Sequence, residues 1–149
     1  MIIRIARPSA IADFPTPVPQ SIMAYFLPSS VKDLITLLPP KDELYRVKAN
    51  LMLQDKGGNP DLYNTPHYDY MWEKDGERYQ KDFYVGLYYV LDSDGDTFLF
   101  DENDKIMARV PPKKGRILFM RGDVLHASRH PINYEKRLVI NMDIIKNDT

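Results

Sequence analysis

Three histidines occur in the chain, and one of them stands two residues before an aspartate in "NTPHYDYMW", residues 64–72. Side chains two apart on an extended backbone point to the same side. His67 and Asp69 can therefore converge on one point while Tyr68 points away. Pro66 biases Thr65 toward the extended region, so the approach to the pair reads as strand-like. An imidazole and a carboxylate placed this way can share a metal ion. Two ligands do not complete a site, however, and a surface His-x-Asp turn has the same spelling. A third donor has to come from elsewhere. "GRILFMRGDVLHASRHP" puts His126 just past a β-capable run and a Gly122-Asp123 turn. His130 is its rival, followed at once by Pro131. "EKRLVINMDI" then opens another β-capable run with Lys136 and Arg137.

The bulk composition narrows the classes to which such residues could belong. A chain of 149 residues suits one domain with one core, and the reading is a single domain over 1–149 with its core at about 45–145. The 44% hydrophobic and 28% charged fractions are those of a soluble globular protein. A net charge of −1 supplies no field toward nucleic acid or anionic lipid. The absence of cysteine excludes disulfides, thiolate metal sites and cysteine nucleophiles, and fits a reducing compartment. No apolar run approaches the roughly 20 residues of a membrane span. "MIIRIARPSAIADF" has too short an apolar block for a signal peptide. The expectation is a cytoplasmic protein with no membrane or nucleic-acid partner. No P-loop, dinucleotide fingerprint or G-x-S-x-G motif is present, so the common phosphate, dinucleotide and serine-hydrolase signatures are missing.

The elements that must carry these residues are mainly strands. Seven of the twelve prolines fall in the first forty residues, which disfavours long helices there because proline removes a donor and clashes with the preceding turn. Residues 1–28 read as extended chain. "PSSVKDLITLLPP" is the one helix candidate, capped by Ser29 or Ser30, striped by Val31, Leu34, Ile35 and Leu38, and stopped by Pro39 and Pro40. "ELYRVKANLMLQD", "KDFYVGLYYVLD", "KGRILFMRGD" and "RLVINMDII" read as strands, and "DTFLFDEN" with "KIMARVPP" as a hairpin about residues 102–104. "HASRHPINYEK" reads as a connection. Short strands at close spacing with one short N-terminal helix predict a mainly β fold of the jelly-roll kind. Alternation puts Val85, Leu87 and Tyr89 on one face, and Arg137, Val139, Asn141 and Asp143 on one face.

Two histidines and one carboxylate form the facial triad of non-haem Fe(II) oxygenases, which leaves positions open on the metal. A planar guanidinium suits the far carboxylate of a dicarboxylate cosubstrate. At these residues the sequence resembles the 2-oxoglutarate/Fe(II)-dependent dioxygenases, in the branch of prolyl hydroxylases and small phage and bacterial relatives. "HYD", "LYYVLDSDGDTFLF", "GRILFMRGDVLHAS" and "RLVINMDI", in that order, carry the resemblance over roughly residues 45–145. It implies a double-stranded β-helix (jelly-roll, cupin-like), with His67, Asp69 and His126 as catalytic iron ligands. It implies Arg137 as the partner of the distal carboxylate of 2-oxoglutarate, Tyr89 as a hydroxyl touching the same group, and Thr97 as a lining residue of that pocket. Where the family has "GGET", this chain has "DGDT", with Asp94 in place of the first glycine. The implied activity is hydroxylation, with Fe(II), 2-oxoglutarate and O₂ consumed to succinate and CO₂. The substrate would be a peptide, a protein or a small molecule, with a peptidyl prolyl or other amino-acid side chain as the first guess.

Other readings of the same residues stay open. Some relatives use lysine as the anchor, which makes Lys136 the alternative to Arg137; the two face opposite ways in a strand. A cupin-like metal-binding module, or a degenerate relative without turnover, would keep the triad and lack cosubstrate dependence. A zinc hydrolase would need no partner for a dicarboxylate. Tyr63, Tyr68, Tyr70, Trp72 and Tyr79 read as core or rim packing, or as a substrate mouth. The charged segment 73–82 reads as a mobile loop placed to act as a lid. "PPKKGR" reads as a solvated hairpin end.

Overall fold

The runs rich in branched and aromatic residues pair as strands in the computed structural model, which describes residues 22–26, 43–69, 72–74, 77–79 and 83–145. In chain order these are β1 (Ile22–Phe26), β2 (Glu43–Leu53), β3 (Trp72–Lys74), β4 (Glu77–Tyr79), β5 (Phe83–Tyr89), β6 (Thr97–Phe100), β7 (Ile106–Val110), β8 (Ile117–Arg121), β9 (His126–Ser128) and β10 (Lys136–Ile145). One sheet has the order β1-β8-β5-β10-β2, a second β7-β6-β9, and β3 with β4 forms a separate hairpin. All pairings are antiparallel. The fold is mainly β, and its two antiparallel sheets have a jelly-roll arrangement.

The hydrophobic side chains of both sheets meet in one cluster. Val85, Leu87, Tyr89, Leu118, Met120 and Val139 come from the five-stranded sheet, and Leu99, Ala108 and Val110 from the three-stranded one. Each fully buried Leu or Val in this layer is worth about 1.5–3 kcal/mol relative to exposure. The alternation along β5 explains why: Val85, Leu87 and Tyr89 share the buried face as period-two geometry requires.

The expected β6–β7 hairpin forms, with Thr97 opposite Val110 and Leu99 opposite Ala108. Its turn closes on Asp101, whose Oδ1 accepts the backbone N–H of Asn103 at 2.8 Å and of Lys105 at 3.0 Å. Asp104 there takes φ 58°, the left-handed region that a short polar side chain tolerates.

Two local expectations are corrected. The segment 126–136, read as a connection, begins with strand β9, because His126–Ser128 pairs with β6. The segment 73–82, read as a mobile loop, contains most of the β3–β4 hairpin, with Glu73 opposite Arg78. The helix candidate in "PSSVKDLITLLPP" lies outside the described residues, as does most of the proline-rich start. Among the described residues no helix is long and apolar enough to cross a membrane.

Three features of this frame position the site. His67 forms an antiparallel bridge with His126 beside the three-stranded sheet. β10 is an interior strand of the larger sheet, between β5 and the edge strand β2. The β2–β10 register sets Met52 opposite Arg137, Asn50 opposite Val139, Lys48 opposite Asn141 and Arg46 opposite Asp143.

Candidate metal centre

His67, Asp69 and His126 each offer one ligand atom, and these atoms lie within 4.8 Å of one another. Backbone pairing assembles them. The His67 N–H donates to the His126 carbonyl at 2.9 Å, and the His126 N–H donates to the His67 carbonyl at 3.1 Å. Two distant stretches of chain are thereby locked in register, and the rings stand 4.7 Å apart between centroids. The extended backbone around His67 then brings Asp69 to the same side.

Each imidazole is oriented through its other nitrogen. His67 Nδ1 lies 3.1 Å from the Thr65 carbonyl, and His126 Nδ1 lies 3.0 Å from the Val124 carbonyl. A carbonyl only accepts, so each Nδ1 carries a proton, and in the neutral ring each Nε2 presents a lone pair. Those lone pairs face the Asp69 carboxylate, at 3.8 Å from His67 and 3.4 Å from His126. Acceptors turned toward one another in this way call for a cation between them. Two donors each about 2.0–2.2 Å from one ion lie no more than roughly 4.4 Å apart; the two His–Asp contacts, made to different oxygens of the carboxylate, are shorter than that, and all three ligand atoms lie within 4.8 Å of one another. The donor set therefore fits a divalent metal.

Asp69 is held from two directions. The Asn141 amide donates to its Oδ2 at 2.9 Å, and Arg46 donates to its backbone carbonyl at 3.1 Å. Arg46 in turn pairs with buried Asp143 at 2.6 Å. Burial opposes ionisation of the Asp69 carboxyl, but its interactions with the His126 ring, the Asn141 amide and the His67 ring outweigh it. The pKa is held down at about 2, so the group is a carboxylate at neutral pH. The Asp69 and His126 side chains are 2% and 5% exposed, whereas that of His67 is 51% exposed. The centre is closed on one side and open on the other.

A cavity of about 440 Å³ connects this centre to a second cluster; its lining includes His67, His126, Thr97 and Arg137. Arg137 is 3% exposed. Its Nε donates to the Gly95 carbonyl at 2.7 Å, one terminal nitrogen donates to Thr97 Oγ1 at 2.8 Å, and the other meets the Met52 thioether at 3.7 Å. No carboxylate pairs with it among the described residues. Burial pulls its pKa below the ordinary value, but a guanidinium stays charged in a protein. Tyr89 donates to the same Thr97 oxygen at 2.8 Å. Burial pushes the Tyr89 phenol up to about 12 against the pull of Arg137, so it remains a neutral donor.

The structure thus brings His67, Asp69 and His126 together in one cluster and Arg137, Tyr89 and Thr97 in another, and His67, His126, Arg137 and Thr97 line the same cavity. His130 stands apart: it is exposed, with Nδ1 2.9 Å from the Leu53 carbonyl. Lys136 is also exposed. Asp94, the departure in "DGDT", has a structural role. Its carboxylate accepts the Ile132 N–H at 3.0 Å, the Asn133 N–H at 2.9 Å and the Asn133 amide at 2.8 Å. That pins the connection ahead of β10.

Arg46, Met52 and Gly95 were not singled out from sequence. The period-two pattern of β2 held a signal for the first two, because Arg46, Lys48, Asn50 and Met52 share the face opposite Arg137, Val139, Asn141 and Asp143. Gly95 reflects close approach: a Cβ there would lie 2.5 Å from the Arg129 carbonyl oxygen and 2.9 Å from Arg137 Cδ.

The sequence matches no protein-family model and no curated protein. Solved structures do match. One is a non-heme monooxygenase, ThoJ, as its Ni complex, with TM-score 0.55 and 17% identity over 78% of this chain. The chain spans about half of that protein, 49% of its length. Another is the viral collagen prolyl hydroxylase vCPH from Paramecium bursaria Chlorella virus-1, in a 2OG complex. It has TM-score 0.52 and 16% identity, covering 84% of this chain and 79% of that one. At these identities the likeness establishes a shared fold.

Proposed function

We propose that the chain is an Fe(II)- and 2-oxoglutarate-dependent oxygenase that hydroxylates an amino-acid side chain, with a peptidyl proline as the leading candidate. One observation carries this reading: a buried guanidinium with no carboxylate in salt-bridge contact among the described residues lines the same cavity as His67 and His126. A buried cation left unpaired costs several kcal/mol, and an anionic ligand is the simplest compensation. Two of the matched structures add to it by name, one being a collagen prolyl hydroxylase with 2OG bound and the other a non-heme monooxygenase with Ni bound.

The roles follow from the side chains. His67 Nε2, His126 Nε2 and one Asp69 oxygen would hold the metal, and the Nδ1 bonds to Thr65 and Val124 fix both rings. A three-residue donor set of this kind would leave room for the keto acid. Arg137 takes the distal carboxylate of 2-oxoglutarate. Thr97 accepts from Tyr89 and Arg137 and can donate its own proton to that carboxylate. Leu87, Ala127 and Val139 supply apolar wall, which limits water around the charges and strengthens their attraction. The exposed side of His67 is where substrate approaches. When bound, the ferrous ion supplies the oxidative decarboxylation of 2-oxoglutarate to succinate and CO₂, coupled to hydroxyl insertion.

Binding of 2-oxoglutarate to the metal-loaded protein tests this. Arg137→Ala should weaken binding by about 2–5 kcal/mol, the cost of removing one partner of a buried charge pair. Unchanged affinity in that variant would refute the anchor, and with it the advantage over a metal-binding module without turnover.

A further inference from the structure

Of the three side-chain nitrogens of Arg137, two donate to oxygens and one does not. Nε has the Gly95 carbonyl and one terminal nitrogen has Thr97, but among the described residues the other meets the Met52 sulfur at 3.7 Å and no oxygen. Ser128 Oγ donates to that same sulfur at 3.6 Å. A thioether is a weak acceptor, yet two good donors of the cavity wall converge on it. Both Met52 and Ser128 line the cavity that holds His67 and Arg137. Their placement is fixed by the sheets: Met52 lies opposite Arg137 in the β2–β10 register, and Ser128 lies opposite Thr97 in the β6–β9 register. A methionine side chain has three rotatable bonds and a polarisable sulfur, so it can yield where a β-branched residue would not.

We infer that Met52 is the length gauge of the cavity. Its thioether stands where a ligand carboxylate meets Arg137, and Ser128 becomes a further donor to that carboxylate once it binds. The inference rests on the reading of Arg137 as a dicarboxylate anchor and adds a specificity residue to it. A carboxylate oxygen is a far better acceptor than sulfur for a guanidinium and a hydroxyl. It displaces the thioether from them, and the displaced side chain forms the end wall. The wall sets how many methylenes fit between the metal centre and Arg137. A pocket that is one methylene too short or too long discriminates by about 10–200-fold.

The experiment uses full-length protein loaded with Ni(II), with calorimetric binding of oxaloacetate, 2-oxoglutarate and 2-oxoadipate, which differ by one methylene each. Wild type is expected to prefer 2-oxoglutarate. Met52→Ala should shift the preference toward 2-oxoadipate by at least about tenfold. Met52→Leu, similar in volume and lacking sulfur, should keep the wild-type order. Ser128→Ala should weaken the diacids together without changing their order, and it tests the same subsite should Met52→Ala fold poorly. If wild type binds 2-oxoglutarate but Met52→Ala leaves the order unchanged, or Ser128→Ala has no effect, the gauge is refuted while the anchor stands. If wild type binds none of the three, both fall together.

Discussion

His67 and His126 exchange both backbone hydrogen bonds, at 2.9 and 3.1 Å, while each ring turns its Nε2 toward Asp69. The bridge sets the relative placement of the two rings. Removing one imidazole should therefore abolish high-affinity metal binding without unfolding the sheets. His126→Ala is expected to lose Ni(II) or Fe(II) binding by calorimetry with its far-ultraviolet dichroism unchanged. His130→Ala is expected to bind as wild type, since His130 is exposed and bonded to Leu53. The opposite ranking would mean that the ligand set is wrong.

Asn141 holds the Asp69 carboxylate at 2.9 Å and contributes no ligand. Groups that orient a metal ligand commonly change affinity by about 10–100-fold. Asn141→Ala should weaken metal binding within that range, and Asn141→Asp should do worse by bringing a second negative charge against Asp69. A thermal melt separates orientation from stability: an affinity loss in Asn141→Ala that merely tracked a lowered Tm would argue against the role.

Gly95 lets Arg137 lie against the backbone. Gly95→Ala would press a methyl against the Arg129 carbonyl and Arg137 Cδ, at an overpacking cost of about 1–3 kcal/mol. The expected result is a lower Tm together with weaker 2-oxoglutarate binding. A normal Tm and normal binding would show that the contact relaxes freely.

Tyr89 gives a prediction in alkali. Its folded-state pKa is raised by burial to about 12, against about 10 in an unfolded chain. Because the folded value is the higher, its contribution is fully present below pH 10 and is lost as pH climbs from about 10 to 12, at roughly 1.4 kcal/mol per unit. Denaturant unfolding of wild type should show this decline. Tyr89→Phe should show a shallower slope over the same window, and an identical slope would place the effect on other groups.

How far the sequence spoke depends on the kind of interaction. Alternation exposed the faces of β5 and β10, so the burial of Val85, Leu87 and Tyr89 and the common face of Arg137 and Asn141 were legible from period alone. Turn chemistry marked the β6–β7 hairpin. His126–Ser128 did not read as a strand because three residues carry no periodicity; pairing with Thr97–Leu99 makes them one. The β3–β4 hairpin was hidden in the same way, since charged residues such as Glu73 and Arg78 mask β propensity. Between His126 and His130 the spacing left a choice; the strand pairing with His67 is what places His126 beside Asp69. The Arg46–Asp143 pair and the Met52–Arg137 contact depend on the β2–β10 register, which no local pattern specifies.

The central claim joins a metal at one end of the cavity to a diacid at the other. The most direct measurement is succinate release from protein supplied with Fe(II), 2-oxoglutarate and O₂, after anaerobic assembly has been followed by the metal-to-ligand absorption band. The account predicts a band that requires both Fe(II) and 2-oxoglutarate, is lost in His126→Ala and Arg137→Ala, and is followed by succinate only when O₂ is admitted. A protein that binds Fe(II) through His67, Asp69 and His126 yet gives neither band nor succinate would contradict it.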